Sequence, residues 1–140
     1  NEVLSGNQYV PYLVPAMRNI QTAIEKANLQ NNIRVSTVLA SDVTSGFPPS
    51  KGIFKNELKD VMMSLLQFLS HHGSPFMANI YPYFSYTGNR QSISLDYALF
   101  KSTSTVVQDG GRSYKNLFDA MLDTFLSSME ASGYPNIPLI

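Results

Sequence analysis

Hydrophobic positions recur every three or four residues in three segments, and each segment predicts a helix with one buried face. The segments are residues 10–27, 54–73 and 114–133. Pro11 and Pro15 are expected before or within the first turn of the first helix, because a later proline would break its hydrogen-bond ladder. The second and third helices each stop at a glycine, which favours a left-handed cap. The positions predicted to face the core are Val10, Leu13, Val14, Met17, Ile20, Ile24 and Ala27, then Leu58, Val61, Met62, Leu65, Leu66 and Leu69, then Leu117, Phe118, Met121, Leu122, Phe125 and Met129.

Shorter apolar runs between these helices predict buried strands. They cover residues 33–40 and 76–81, and residues 137–140 begin a third strand. Residues 41–51, with one glycine and two prolines, predict a loop. The segment 82–113 is too long for a plain connection, and such segments are usually functional.

Two signals subdivide this long segment. Leu95, Tyr97 and Leu99 alternate with polar residues, and Asp109-Gly110 is a turn signal. They predict a small excursion or hairpin.

The alternation of helices and strands predicts right-handed crossovers and parallel strands. Both a doubly wound sheet and a (β/α)8 barrel fit this order. No glycine-rich phosphate loop supports the first, since Gly110-Gly111 follows a turn and not a strand-to-helix junction. A complete barrel needs ~250 residues, so this chain would be about half of one.

Polar and aromatic side chains mark the end of the predicted strand 76–81. Asn79, Tyr81 and Tyr83 place an amide and two phenols there. Ligands of α/β proteins bind at the carboxyl ends of strands, and amides beside aromatic faces suit sugar rings. Glu2 has no strand pattern before it, so its supporting strand is expected to be missing and the chain to be a fragment.

The charge balance and the absence of cysteine exclude several classes of function. Ten Lys and Arg balance ten Asp and Glu, which argues against nucleic acid and against a polybasic membrane contact. No apolar run approaches the ~20 residues that span a bilayer. Without cysteine there are no disulfides and no thiolate metal sites.

Other titratable residues favour structural roles. The adjacent His71 and His72 point in different directions at a helix end, so no metal site and no cofactor are expected. Asp119 and Asp123 are interpreted as solvated residues on a polar helix face. Asp42 follows a strand and is expected at the edge of a ligand cleft.

Six stretches carry a family resemblance over essentially the whole chain: Asn1-Glu2-Val3, NQYVPYLVPAMRNIQTAIEKANL (7–29), VSTVLASDV with PPSKGIF (35–54), PFMANIYPYF (75–84), LDYALF (95–100) and VVQDGGRSYKNLFDAMLD (106–123). In this order they resemble the plant endo-1,3-β-glucanases, glycoside hydrolase family 17. PFMANIYPYF and YKNLFDAMLD are the specific motifs.

The resemblance implies a (β/α)8 barrel that cleaves 1,3-β-glucan with retention, using glutamates at the ends of the fourth and seventh strands. Glu2 matches the acid/base. The nucleophile belongs to a Ser-Glu-Ser-Gly-Trp-Pro motif that would follow Ile140. Residues 1–140 would therefore be a partial catalytic domain, from the end of strand 4 to the start of strand 7. Alone it is expected to be inactive, marginally stable and prone to associate, because it needs the remainder of its barrel.

The resemblance also implies how the substrate is held and where the protein acts. The substrate is 1,3-β-glucan, and the protein would be secreted to the cell wall or vacuolar, with a role in plant defence. The alternative is a non-catalytic carbohydrate-binding or allergen-type module. The residues implied in substrate binding, of which all but Tyr86 are expected to cluster with Glu2, are Asn1, Asn79, Tyr81, Phe84 and Tyr86.

Overall fold

The computed structural model describes residues 2–6 and 8–140, which form an α/β structure. Short 3-10 turns at Ser41–Val43, Pro49–Lys51 and Asn56–Leu58 lie between the helices and strands. In chain order the elements are α1 (Val10–Lys26), β1 (Val38–Ala40), β2 (Thr44–Ser45), β3 (Ile53–Phe54), α2 (Lys59–His72), β4 (Met77–Asn79), α3 (Pro82–Gly88), α4 (Leu95–Ala98), β5 (Val107–Asp109), β6 (Arg112–Tyr114) and α5 (Leu117–Ala131).

A parallel sheet organises the molecule. β1 and β4 pair in parallel, with Val38 opposite Met77. On the other side of β4, the Ala78 N–H donates to the carbonyl of Ile140 at 2.8 Å. On the outer side of β1, the Glu2 N–H donates to the carbonyl of Val38 at 3.0 Å. Four segments therefore lie side by side in chain order, as successive β/α units require.

The core lies between this sheet and the inner faces of α1, α2 and α5. Leu65 and Leu66 of α2 are fully buried, and Phe125 of α5 is equally inaccessible. The ring of Phe76 lies 6.1 Å from that of Phe54 and 5.8 Å from that of Phe125. The predicted inward face of α2 is confirmed, and so is the cap at Gly73, whose φ is 62°.

Helix α1 differs from the prediction in two respects. Pro15 lies inside the helix, beyond the first turn, while Pro11 occupies its start. Ile20 is 53 % exposed, and Gln21 is buried in its place. The Gln21 amide donates to the Glu25 carboxylate at 2.8 Å. Because this hydrogen bond satisfies the amide, a polar side chain can occupy the buried face of the helix.

The strands and the other two long helices are shorter than predicted. Only Val38–Ala40 of the predicted strand 33–40 pairs, and Ile33 is 43 % exposed. Phe54 and Tyr114 precede their helices and belong to the short antiparallel strands β3 and β6. Both side chains are buried, so their apolar character reflects tertiary contact and not helical periodicity.

The excursion between β4 and α5 contains both helix and hairpin. The predicted excursion is present, and Leu95 and Tyr97 lie in a helical turn that Ser94 caps by accepting from the Tyr97 N–H at 3.3 Å. The turn signal was right: Asp109 pairs with Arg112 across the β5–β6 hairpin. Within residues 2–6 and 8–140, no helix has the length and apolar character needed to cross a membrane.

Candidate active site

The carboxylate of Glu2 and the amide of Asn79 meet at the carboxyl end of β4. The Asn79 Nδ2 donates to the Glu2 Oε1 at 2.7 Å, and both residues are half-buried. The Glu2 backbone is bound to β1 through its own N–H and has a φ of 56°, which is unusual for a residue other than glycine. Two neighbouring strands thus fix this carboxylate, one through its backbone and one through its side chain.

A second contact holds the loop that carries Glu2. The Ser5 N–H donates to the Glu2 carbonyl at 2.9 Å. The Ser5 Oγ donates to the Asp42 Oδ2, also at 2.9 Å. Asp42 is exposed in the turn that follows β1, so it joins two loops at the same end of the sheet.

Exposed aromatic rings lie directly beyond Asn79. Tyr81, Tyr83 and Phe84 are 45 %, 67 % and 64 % exposed. The Phe84 ring contacts both tyrosines edge to face, at 5.6 Å from Tyr81 and 5.3 Å from Tyr83. Three rings in contact form an apolar surface with phenolic hydroxyls, which suits the CH faces and hydroxyls of sugars.

Tyr86 has different surroundings from these rings. It is half-buried, and the Arg90 guanidinium lies 5.6 Å above its ring. This cation–π contact occupies one face of the ring. Tyr83 is the more exposed aromatic, although the sequence-based set of substrate residues left it out. The sequence signal that could have included Tyr83 was its position in the same Tyr-Pro-Tyr-Phe run as Tyr81 and Phe84.

A cavity of about 280 Å³ adjoins Asn79 and Tyr81. Its other walls come from the strand ends and from α5: Ala78, Ile80, Phe118, Leu122, Leu139 and Ile140. The site residues therefore border a mostly apolar recess beside the sheet.

His71, His72 and Asp119 lie on helices and not at strand ends. Asn1 lies outside the described residues. His72 is in the last turn of α2, 4.0 Å from the Glu25 carboxylate, and burial together with the nearby His71 lowers the pKa of His72. Both histidines therefore belong to the end of α2.

Asp119 is an exposed residue in the first turn of α5 and accepts from the Asn116 amide at 2.7 Å.

The interpretation of Asp123 as a solvated residue was wrong. Its Oδ2 accepts from the Tyr114 hydroxyl at 2.7 Å and from Arg112 at 3.3 Å. Burial raises the pKa of Tyr114 and the hydrogen bond to Asp123 raises it further. Asp123 therefore joins the hairpin to α5.

The sequence also did not single out a buried carboxylate in the hairpin. Asp109 is only 7 % exposed, and it accepts from the Ser50 hydroxyl at 2.6 Å and the Ser50 N–H at 2.7 Å. These bonds hold the pKa of Asp109 below its ordinary value. They connect the hairpin to the loop after β2.

Comparison with known proteins identifies the family. Residues 1–140 match the family described as "Glycosyl hydrolases family 17". The chain belongs to this family. The resemblance found in the sequence is thereby confirmed.

Two curated relatives bear the description glucan endo-1,3-beta-glucosidase. The chain is 48 % identical to "Glucan endo-1,3-beta-glucosidase" of Vitis vinifera, over 100 % of this chain and 42 % of that protein. It is 48 % identical to the "acidic isoform" of Zea mays, over 100 % of this chain and 41 % of that protein. The chain thus spans about two fifths of the length of these relatives.

Solved structures of family 17 proteins share the fold. "CJP38, a beta-1,3-glucanase and allergen of Cryptomeria japonica pollen" is 63 % identical, with a TM-score of 0.94 over 100 % of this chain and 44 % of that one. A structure from a study of two plant beta-glucan endohydrolases is 37 % identical, with a TM-score of 0.90 over 96 % of this chain and 44 % of that one. The family 17 chain therefore has an α/β structure of the TIM-barrel glycosidase class.

Proposed function

We propose that residues 1–140 form part of the catalytic domain of a retaining endo-1,3-β-glucanase. In this proposal the chain extends from the end of barrel strand 4 to the start of strand 7. The side-by-side order of Glu2, β1, β4 and residues 138–140 supports this assignment. The coverage of 42 % of the Vitis relative is the share expected for such a segment.

Glu2 is the proposed general acid and base, and its hydrogen bond to Asn79 is the observation that carries this role. In a retaining glycosidase one carboxyl group protonates the leaving oxygen and a second, ~5–5.5 Å away, attacks the anomeric carbon. We assign the second carboxylate to the part of the barrel that follows strand 7. Asn79 keeps the Glu2 carboxyl directed at the scissile bond, because it holds one oxygen and leaves the other to the substrate.

The proposed substrate is a 1,3-β-glucan bound along the exposed rings beyond β4. Asn79 and Tyr81 would contact the sugar beside Glu2, and Phe84 would stack on the next unit. The family resemblance also assigns Asn1 and Tyr86 to substrate binding. The exposure of Tyr81 and Phe84 supports this arrangement, while the contact of Tyr86 with Arg90 favours a peripheral position for it. The reaction needs two carboxyl groups and water, and no cofactor.

We also propose a secreted or vacuolar location. The Nicotiana plumbaginifolia relative, 44 % identical, bears the printed description "basic vacuolar isoform", which supports the vacuolar alternative.

Replacement of Glu2 tests the function in the natural protein that carries this chain. Glu2→Gln removes the acidic proton but keeps the shape, so turnover of laminarin should fall by about 10²–10⁴-fold while glucan binding persists. An aryl glucoside with a good leaving group should lose less rate in its first step, because it needs little protonation. Glu130→Gln, at an exposed position of α5, is the matched control.

The outcome separates this proposal from a binding module without chemistry. A module would bind glucan before and after the change and hydrolyse none in either form. Wild-type turnover in Glu2→Gln would remove Glu2 from the mechanism.

A further inference from the structure

A second and larger cavity lies apart from Glu2, between the hairpin, the α3–α4 segment and the first half of α5. Its volume is about 540 Å³, against about 280 Å³ for the recess beside Tyr81. All its walls come from the segment between residues 47 and 124. They are formed by Phe47, Pro49, Asn89, Ser92, Ile93, Tyr97, Val106, Val107, Leu117, Ala120, Met121 and Thr124.

This cavity has a closed floor and an open rim. Tyr97, Leu117 and Ala120 at the floor are between 3 % and 8 % exposed. Phe47 and Ser92 at the rim are exposed, Phe47 by 75 %. A space of this volume with one exposed rim falls within the range of ~300–1,000 Å³ typical of small-molecule sites.

The lining of this cavity is uncharged among the described residues, and its polar side chains are those of Asn89, Ser92, Tyr97 and Thr124. The Tyr97 hydroxyl is buried and has no hydrogen-bond partner within the described residues. The Thr124 hydroxyl donates to the Ala120 carbonyl at 2.8 Å and is already satisfied. Burial raises the pKa of Tyr97 to about 12, so its phenol stays neutral. A sugar would leave several hydroxyls without partners here, and a charged molecule would lose its hydration without compensation.

The shape of the side chains favours a flat ring system. The Tyr97 ring forms part of the floor, and the exposed Phe47 ring stands at the rim. Met121 also lines the cavity, and a methionine side chain is flexible and polarisable and adapts to aromatic faces. Aromatic rings stack favourably at such positions.

We propose that this cavity is a binding site for a neutral, flat aromatic molecule of two or three rings. The site is separate from the glucan cleft and does not depend on Glu2. The bound molecule inserts its ring system toward Ala120 and is covered at the rim by Phe47.

Fluorescence titration with N-phenyl-1-naphthylamine tests the proposal in the natural protein that carries this chain. One saturable site per chain is expected. Ser92→Trp places a large side chain at the rim and should weaken binding by at least about tenfold. Gln91→Trp adds the same group at a neighbouring exposed position outside the lining and should leave binding unchanged.

A second variant and a competition experiment complete the test. Ala120→Leu fills the floor and should also weaken dye binding, which keeps the proposal testable if Ser92→Trp does not fold. Laminarin oligosaccharides should not displace the dye. Absence of saturable binding, equal affinities in all variants, or displacement by the oligosaccharides would each overturn the proposal. Glucanase activity is not the readout, so failure here leaves the role of Glu2 untouched.

Discussion

The Asn79 amide holds the Glu2 carboxylate through a 2.7 Å hydrogen bond that joins residues 77 positions apart in the chain. Asn79 is the last residue of β4, and the Glu2 backbone is hydrogen-bonded to the neighbouring strand β1. A carboxyl group held on a rigid sheet edge keeps its orientation with little loss of side-chain freedom at the moment of reaction.

Asn79→Ala should lower the turnover of laminarin about tenfold to a hundredfold, because Glu2 loses the group that orients it. The Michaelis constant should change less than kcat. Steady-state kinetics of the natural protein measures both, with Asn136→Ala at an exposed position as the control. An unchanged kcat in Asn79→Ala would show that Glu2 needs no such positioning.

Leu65→Ala should reduce the free energy of unfolding by about 2–5 kcal/mol, since it leaves a cavity in a fully packed core. Leu65 is 0 % exposed on the inner face of α2. Met63→Ala on the same helix, where Met63 is 37 % exposed, should cost less than about 1 kcal/mol. Urea denaturation of both variants gives the comparison, and equal losses would contradict the assignment of the buried face.

Asp109→Asn should destabilise the protein at neutral pH and much less in acid. The hydrogen bonds from Ser50 lower the folded-state pKa of Asp109 below the ordinary 3.8, so the ionised carboxylate stabilises the fold above that pH. The difference in unfolding free energy between wild type and variant should shrink from about pH 3.8 downward and vanish below the folded-state pKa.

Denaturation between pH 3 and pH 7 measures this difference. Ser50→Ala should weaken the wild type but have less effect when Asp109→Asn is already present, because the two residues share their hydrogen bonds. A difference that grows on acidification would have the wrong sign.

Two tyrosine replacements that remove the same hydroxyl should differ in their effect on stability. Tyr114→Phe loses a 2.7 Å hydrogen bond to the Asp123 carboxylate and should cost about 1–3 kcal/mol. The buried Tyr97 hydroxyl has no hydrogen-bond partner within residues 2–6 and 8–140. Tyr97→Phe should therefore be neutral or stabilising. Thermal melts of both variants test the contrast, and a larger loss in Tyr97→Phe would refute it.

Part of the fold could be predicted from the sequence because it follows from local patterns. The inner face of α2 and its end at Gly73 depend on side chains one turn apart and on one backbone angle. The Asp109-Gly110 turn is equally local. The strand-end motif from Asn79 to Phe84 could be identified in the sequence, and the structure adds the hydrogen bond from Asn79 to Glu2.

Other features depended on contacts that no local pattern contains. Phe54 and Tyr114 continue the apolar character of the helices after them, yet they pair as strands because α5 and its neighbours cover them. Ile20 has the helical spacing of a buried residue but is 53 % exposed.

The sequence by itself determined the three long helices, the cap at Gly73 and the family, because these follow from short-range periodicity and motif order. Only the tertiary structure decided which polar groups meet. Glu2 reaches Asn79 across 77 positions, and Ser50 reaches Asp109 across 59. The first pair forms because parallel strands bring distant segments to one edge of a sheet. The second forms because the antiparallel hairpin packs against the loop after β2, and in both pairs a polar group gains a hydrogen-bond partner.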